Sequence, residues 1–239
     1  MIHTFTALLF AHMLADFVLQ TDWIIRNKAR FGVLLLHAAL VLLTAQATTG
    51  QLASAPLLVL AGVHLLIDCI KTYGRFSGLS GFMTDQAAHL VTLAVVAVLV
   101  PDLWQTGMWA ALPQLLPLMA LLAGLIATIT AGQYAIGLLM RPHATRIRNN
   151  GLKQGGRLIG MLERGLIFAL ILLGQPLGVG FLVASKSILR FGTATRDQRT
   201  AEYVIIGTLA SFGWAILAAY ATQWLLSCLP PLEIAAQQP

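Results

Sequence analysis

The chain has 239 residues, of which 58% are hydrophobic and only 10% are charged. A soluble domain carries about 25% charged residues, so this composition excludes a water-soluble globule and, being so apolar, also a disordered chain. A helix that crosses a membrane needs about 20 apolar residues. The sequence therefore predicts an all-α, polytopic transmembrane helix bundle of about seven to eight spans, with the lipid bilayer as its partner.

The net charge is +6, from 15 Lys and Arg against 9 Asp and Glu. In a membrane protein such an excess is typical of cytoplasmic loops, and we expect no nucleic-acid partner. The first apolar stretch has neither a basic segment before it nor a small-residue cleavage site after it. Residues 2–20 therefore favour a retained span over a signal peptide.

Eight apolar stretches follow one another along the chain. The sixth and seventh are separated only by Gln175 and Pro176, so they form either a tight pair of crossings or a re-entrant pair, and the sequence leaves both open. We predict membrane segments at 2–20, 32–49, 56–70, 82–100, 114–139, 158–174, 177–191 and 202–227.

The Lys and Arg residues concentrate in the loops after odd-numbered segments, whereas the loops around 50–55, 101–113 and 175–176 have none. The positive-inside rule then places the odd loops in the cytoplasm and both termini outside. It also places Trp104 and Trp109 at the outer interface. The longest charged loop suggests a division into an N-terminal five-span unit at 1–140, a basic cytoplasmic loop at 141–157 and a C-terminal unit of three membrane segments at 158–239.

Ionisable side chains recur inside the predicted spans, where they are costly and usually face a cavity or a partner. Six of them form three pairs, each spaced four residues apart and therefore on one helix face. In the predicted topology all of them, with one further histidine, lie in the cytoplasmic half of the membrane. The set comprises His12, Asp16, His37, His64, Asp68, Asp85 and His89.

Imidazoles and carboxylates that converge from several helices suit a divalent ion such as Zn, Mn or Fe. All seven residues are candidate metal ligands, and Asp16, Asp68 and Asp85 are also candidate catalytic groups. The same spacing fits an aspartate that orients a histidine without binding the ion. The alternative interpretation is that the pairs are interhelical hydrogen bonds that hold the bundle together.

A second group of charges lies in the C-terminal half. Arg157, Arg164, Lys186 and Arg190 are candidate substrate-binding residues for an anionic lipid or a phosphate-bearing small molecule. The alternative is that these side chains extend from helix ends to the interface, with Glu163 neutralising Lys186 or Arg164 inside the bundle.

Three runs carry a resemblance to a known family: His12 to Trp23, His64-Leu-Leu-Ile-Asp68 and Asp85-Gln86-Ala-Ala-His89. They resemble the bacterial inner-membrane family catalogued as domain of unknown function 3307 (DUF3307), over about the first 100 residues. The stretches 156–164 and 186–191 are similar to its extended members. The resemblance implies a multi-pass protein of the bacterial inner (cytoplasmic) membrane, and it implies no activity.

Three functions fit these patterns. The leading hypothesis is an intramembrane metal-dependent hydrolase that acts on an anionic, phosphate-bearing substrate. The alternatives are a cation or proton-coupled transporter, and a non-catalytic membrane partner or sensor. The sequence leaves the oligomeric state open.

Overall fold

The computed structural model describes residues 1–146, 154–194 and 198–231, and all regular structure in these ranges is helical. A π-helical turn, Ala15–Leu19, follows the first helix, and another, Ala127–Ala131, separates α6 from α7. The helices are α1 (Ile2–Leu14), α2 (Asp22–Asn27), α3 (Phe31–Thr49), α4 (Ala55–Tyr73), α5 (Gly78–Leu99), α6 (Leu115–Ile126), α7 (Gly132–Met140), α8 (Gly155–Leu172), α9 (Pro176–Ala194) and α10 (Gln198–Ser227).

Six helical segments of the described chain are long and apolar enough to cross a membrane, which confirms the all-α membrane fold. The predicted sixth and seventh segments correspond to α8, which carries three charged residues, and to α9, whose apolar part ends at Lys186. The total of seven to eight spans stays a prediction. The six are Ile2–Leu19, Phe31–Thr49, Ala55–Tyr73, Gly78–Leu99, Leu115–Ala144 and Gln198–Ser227.

The end of α3 shows why a helix stops where it does. Gly50 has a φ of 70°, in the left-handed region that glycine adopts without strain. A Cβ here would lie 2.7 Å from the backbone nitrogen of Met108. The Trp109 indole nitrogen donates to the carbonyl oxygen of Ala47 at 2.7 Å. The loop after α5 is therefore held against the end of α3.

The chain forms two compact units, the first of which contains Met1–Ile126 and the chain from Trp224 onward. In it α1 packs against α3, α5 and α6, while α4 packs against α3 and α5. Leu8, Leu57 and Leu93 lie in one buried apolar cluster. Trp104 is only 2% exposed and packs with Leu116 in another, so its indole lies inside this unit. Its place at the outer membrane interface stays a prediction.

The second unit is Ala127–Gln223. Its boundary falls within the fifth predicted span, at the start of the second π-helical turn, and not at the basic loop. The three-part division at 1–140, 141–157 and 158–239 stays a prediction. Residues 147–153 of that loop lie outside the described residues.

Candidate metal centre

Four ligand-type atoms from three helical segments of the first unit surround a common point. The Nε2 atoms of His37 and His64 are 3.3 Å apart. His37 Nε2 is 3.4 Å from Asp16 Oδ1 and 3.5 Å from Asp68 Oδ2. His64 Nε2 is 3.5 Å from Asp16 Oδ1 and 3.7 Å from Asp68 Oδ2. Two imidazoles and two carboxylates therefore converge, and we call these four residues the primary set.

The spacing of the primary set is that of ligands around a small cation. Ligand atoms at about 2.0–2.1 Å from a tetrahedral zinc ion lie about 3.3–3.4 Å from one another. The five distances of the primary set run from 3.3 to 3.7 Å. A small inward movement of the side chains would give coordination distances, so the donor set fits a divalent ion.

Each residue of the primary set is positioned by its helix. Asp16 lies in the π-helical turn that follows α1, and π-helical turns are frequent at functional sites because they change the direction of side chains. His37 lies on α3 and is fully buried. His64 and Asp68 lie one turn apart on α4 and are 4% and 2% exposed. The site is therefore built on rigid elements, away from loops.

The other three predicted ligands adjoin the primary set. The His89 ring stacks on His64 with centroids 3.9 Å apart, and His89 Nε2 is 3.6 Å from Asp85 Oδ1. His12 Nδ1 is 3.7 Å from Asp16 Oδ1. The structure thus brings all seven predicted ligands into one buried group. Ligand atoms lie within 4.8 Å of one another in three overlapping sets: His12, Asp16 and His64; His37, His64 and Asp68; and Asp68, Asp85 and His89.

Several polar atoms of this group are buried yet have no hydrogen-bond partner within the described part of the chain. Buried polar atoms are nearly always satisfied, so a concentration of exceptions in one place needs an explanation. Four of these atoms form two facing pairs: His12 Nδ1 lies 3.7 Å from Asp16 Oδ1, and His89 Nε2 lies 3.6 Å from Asp85 Oδ1. A bound ion would satisfy such atoms. The atoms are His12 Nδ1, Asp16 Oδ1, His37 Nδ1, Asp68 Oδ2, Asp85 Oδ1 and His89 Nε2.

Two lysines outside the predicted ligand set each donate a hydrogen bond to one oxygen of a carboxylate. Lys28 Nζ donates to Asp68 Oδ1 at 2.9 Å, and Lys71 Nζ donates to Asp85 Oδ2 at 2.6 Å. In each carboxylate the other oxygen remains turned toward the imidazoles. The local sequence indicates neither contact: Lys71 lies three residues after Asp68 but bonds to Asp85, 14 residues away, and Lys28 bonds to Asp68, 40 residues away.

Two glutamines complete the surroundings. Gln86 donates to Asp85 Oδ2 at 3.2 Å, so its amide oxygen is the atom that lies 3.2 Å from His12 Nε2. That oxygen can only accept, which places the proton of His12 on Nε2 and leaves the lone pair on Nδ1 for an ion. Gln20 Nε2 lies 2.9 Å from His37 Nε2, so this amide competes with an ion for the lone pair of His37.

The predicted substrate-binding cations lie in the second unit. Buried Arg164 donates to the carbonyl oxygens of Thr128 and Ile129 and to Ser211 Oγ, at 3.0–3.1 Å. Lys186 Nζ donates to Glu163 Oε2 at 2.6 Å. These three charged side chains and exposed Arg157 line a cavity of about 370 Å³. The side chain of Arg190 lies outside the described residues. The role of these residues in binding an anion stays a prediction.

The family comparison covers the part of the chain that contains the metal-binding candidates. Residues 4–113 match the family model described as protein of unknown function, DUF3307. This part of the chain is similar to the DUF3307 family. All seven candidate ligands lie within the DUF3307 match, and so do Lys28 and Lys71. The comparisons with curated proteins and with solved structures found no match.

Proposed function

We propose that this protein is an integral membrane, metal-dependent hydrolase with an anionic, phosphate-bearing substrate. The observation that carries the proposal is the primary set: the Nε2 atoms of His37 and His64 are 3.3 Å apart, and each lies 3.4–3.7 Å from a carboxylate oxygen of Asp16 and from one of Asp68. Structural hydrogen bonding alone would pair these atoms, whereas Asp16 Oδ1 and Asp68 Oδ2 have no bond among the described residues.

The chemistry of such a site is hydrolysis. A divalent ion held by the primary set would polarise a phosphoryl group and would make water a stronger nucleophile. The water oxygen forms a new bond to phosphorus, the ester P–O bond breaks, and the leaving oxygen takes up the proton that the water loses. Asp85 and His12 lie beside the primary set, where a carboxylate or an imidazole can carry that proton.

The charge of the site supports an anionic substrate. The carboxylates of Asp16, Asp68 and Asp85 and the ammonium groups of Lys28 and Lys71 leave one net negative charge when the imidazoles are neutral, as ligation requires. One bound divalent ion would change the net charge of the site to +1. Because an uncompensated charge is costly in a buried site, such a centre favours an anion as its next ligand.

The test is the metal content and phosphatase activity of the detergent-purified full-length chain, compared with His64→Ala and with Asp68→Asn, which keeps the shape of the side chain. We expect the wild type to retain Zn, Mn or Fe through purification and to hydrolyse a generic phosphomonoester. Both variants should lose the metal and the turnover. His143→Ala removes an exposed histidine outside the site and should change neither. Full activity in rigorously metal-free wild type would overturn the proposal.

A second experiment separates hydrolysis from transport, because a cation carrier would also need buried ionisable groups. Proteoliposomes that contain the wild type are loaded with a Mn²⁺ or Zn²⁺ indicator and exposed to that ion. Uptake that His64→Ala abolishes, without any phosphatase activity, would assign these residues to a transport path and reject the hydrolase. Hydrolysis without uptake is the expected result.

A further inference from the structure

A second ligand set adjoins the primary set and shares Asp68 with it. Asp68, Asp85 and His89 offer ligand atoms within 4.8 Å of one another, and all three side chains are at most 5% exposed. Asp85 Oδ1 and His89 Nε2 are 3.6 Å apart, and neither has a hydrogen bond within the described residues. Two buried, unpartnered ligand atoms on one face of α5 therefore point toward the aspartate of α4.

Asp68 belongs to both sets, so it is in a position to bridge two ions. One of its oxygens is bonded to Lys28, and the other faces His37 and His64. The stacked rings of His64 and His89 place a histidine of each set side by side. We propose that the centre is binuclear, with a second divalent ion held by Asp85 and His89 and shared through Asp68. This inference rests on the proposed function, because it adds an ion to the same site.

The second ion narrows the class of substrate. Two divalent ions, three carboxylates and two lysines leave three positive charges in a buried site. A phosphate monoester carries about two negative charges at neutral pH, and its oxygens can contact both ions, the arrangement used for in-line displacement at phosphorus. A neutral ester or amide would leave the charge uncompensated. Among ester and amide substrates, the charge of a binuclear centre here therefore favours a phosphate ester.

The stoichiometry of bound Mn²⁺ tests the second ion directly. Full-length protein is stripped of metal in detergent, titrated with Mn²⁺ and measured by elemental analysis and by electron paramagnetic resonance. We expect two ions per chain and the spectrum of an exchange-coupled pair. Asp85→Asn and His89→Gln should each bind one ion and give the spectrum of isolated Mn²⁺. Asp102→Asn, an exposed acid of the same unit, should keep both.

Inorganic phosphate is the probe for the substrate class. Ligands that bind together raise each other's affinity reciprocally, so phosphate should increase the affinity for the second Mn²⁺ by about 5-fold or more in the wild type. Asp85→Asn should show no second binding step with or without phosphate.

The outcomes are distinguishable. One ion per wild-type chain, without coupling, would overturn the binuclear centre and leave the proposed function in place. No bound ion would overturn both. Circular dichroism and monodispersity in detergent identify any variant that fails to fold, and His89→Gln then serves in place of Asp85→Asn.

Discussion

At the scale of single residues, the centre depends on carboxylates whose two oxygens have different neighbours. Lys28 donates to one oxygen of Asp68, and Lys71 donates to one oxygen of Asp85. The other oxygen of each carboxylate remains turned toward imidazoles. A bonded carboxylate keeps its orientation, so the lysines set the direction of the ligand atoms. They also neutralise charge that would otherwise be uncompensated in a membrane.

Lys28→Met tests this role of the lysine. The variant leaves Asp68, which is 2% exposed, without its ion pair, and breaking a buried pair typically costs about 3 kcal/mol. We expect metal-free Lys28→Met to unfold at a lower temperature than metal-free wild type. Added Mn²⁺ should raise its midpoint more than that of the wild type, because the ion then supplies the missing positive charge.

The matched control is Arg26→Met, which removes an exposed cation from α2, two residues before Lys28. Its thermal midpoint should equal that of the wild type with and without metal. Equal midpoints for Lys28→Met and Arg26→Met would show that the contact between Lys28 and Asp68 contributes no stability.

At the scale of helical elements, both π-helical turns coincide with buried polar groups. The first turn contains Asp16. In the second turn the carbonyl oxygen of Ala127 accepts from the Trp214 indole, and the next two carbonyl oxygens accept from Arg164. Backbone carbonyls become available where the α-helical hydrogen-bond pattern is interrupted. In a membrane these groups need partners, and the tryptophan and the arginine provide them.

Gly132, at the start of α7, allows the side chains of Trp214 and Arg164 to approach the second π-helical turn closely. A Cβ here would lie 2.6 Å from Trp214 Cδ1 and 3.2 Å from the Cδ of Arg164. Gly132→Ala should therefore displace the indole, break its bond to Ala127 and destabilise the second unit by about 1–3 kcal/mol. The measurement is unfolding of the detergent-solubilised protein by titration with SDS.

Gly137→Ala is the control on the same helix. No atom lies within 4 Å of the added Cβ, so the variant gains helix propensity of up to about 1 kcal/mol without a clash. We expect it to be as stable as the wild type or slightly more stable. Equal effects of the two alanines would show that the clash with Trp214 does not govern stability.

At the scale of the whole molecule, the six long apolar helices found in the described ranges fit a multi-pass membrane protein. The distribution of Lys and Arg predicts odd loops in the cytoplasm and both termini outside. Lys28 and Lys71 follow predicted spans that end on the cytoplasmic side, so the same topology places the side of the metal centre that contacts these lysines toward the cytoplasm. An inner-membrane location and this orientation remain predictions.

Cysteine labelling tests the orientation. In Cys69→Ser, the exposed Cys228 should react with a membrane-impermeant maleimide added to right-side-out vesicles. In the double variant without native cysteines, Arg26→Cys should react only in inside-out vesicles. The reverse pattern would invert the topology and would place the lysine side of the metal centre toward the outside.

The helices and their approximate ends follow from local properties of the sequence. Each long apolar run became a helix because a backbone in lipid must satisfy its own hydrogen bonds. The predicted second span, 32–49, corresponds to α3, Phe31–Thr49. The short helix α2 and the two π-helical turns were not predicted, although Thr21, which caps α2 by accepting from the Ile24 amide, was a local signal for that helix.

For the metal centre, the sequence indicated which residues to consider, because buried histidines and aspartates four residues apart are costly in a membrane. It could not indicate which atoms face one another. That depends on how α1, α3, α4 and α5 pack, which brings Lys28 to Asp68 across 40 residues and Gln86 to His12 across 74. Helix periodicity is a local property, whereas the distance between atoms of separate helices follows from packing of the whole unit, and for that reason the ligand geometry emerged only from the folded chain.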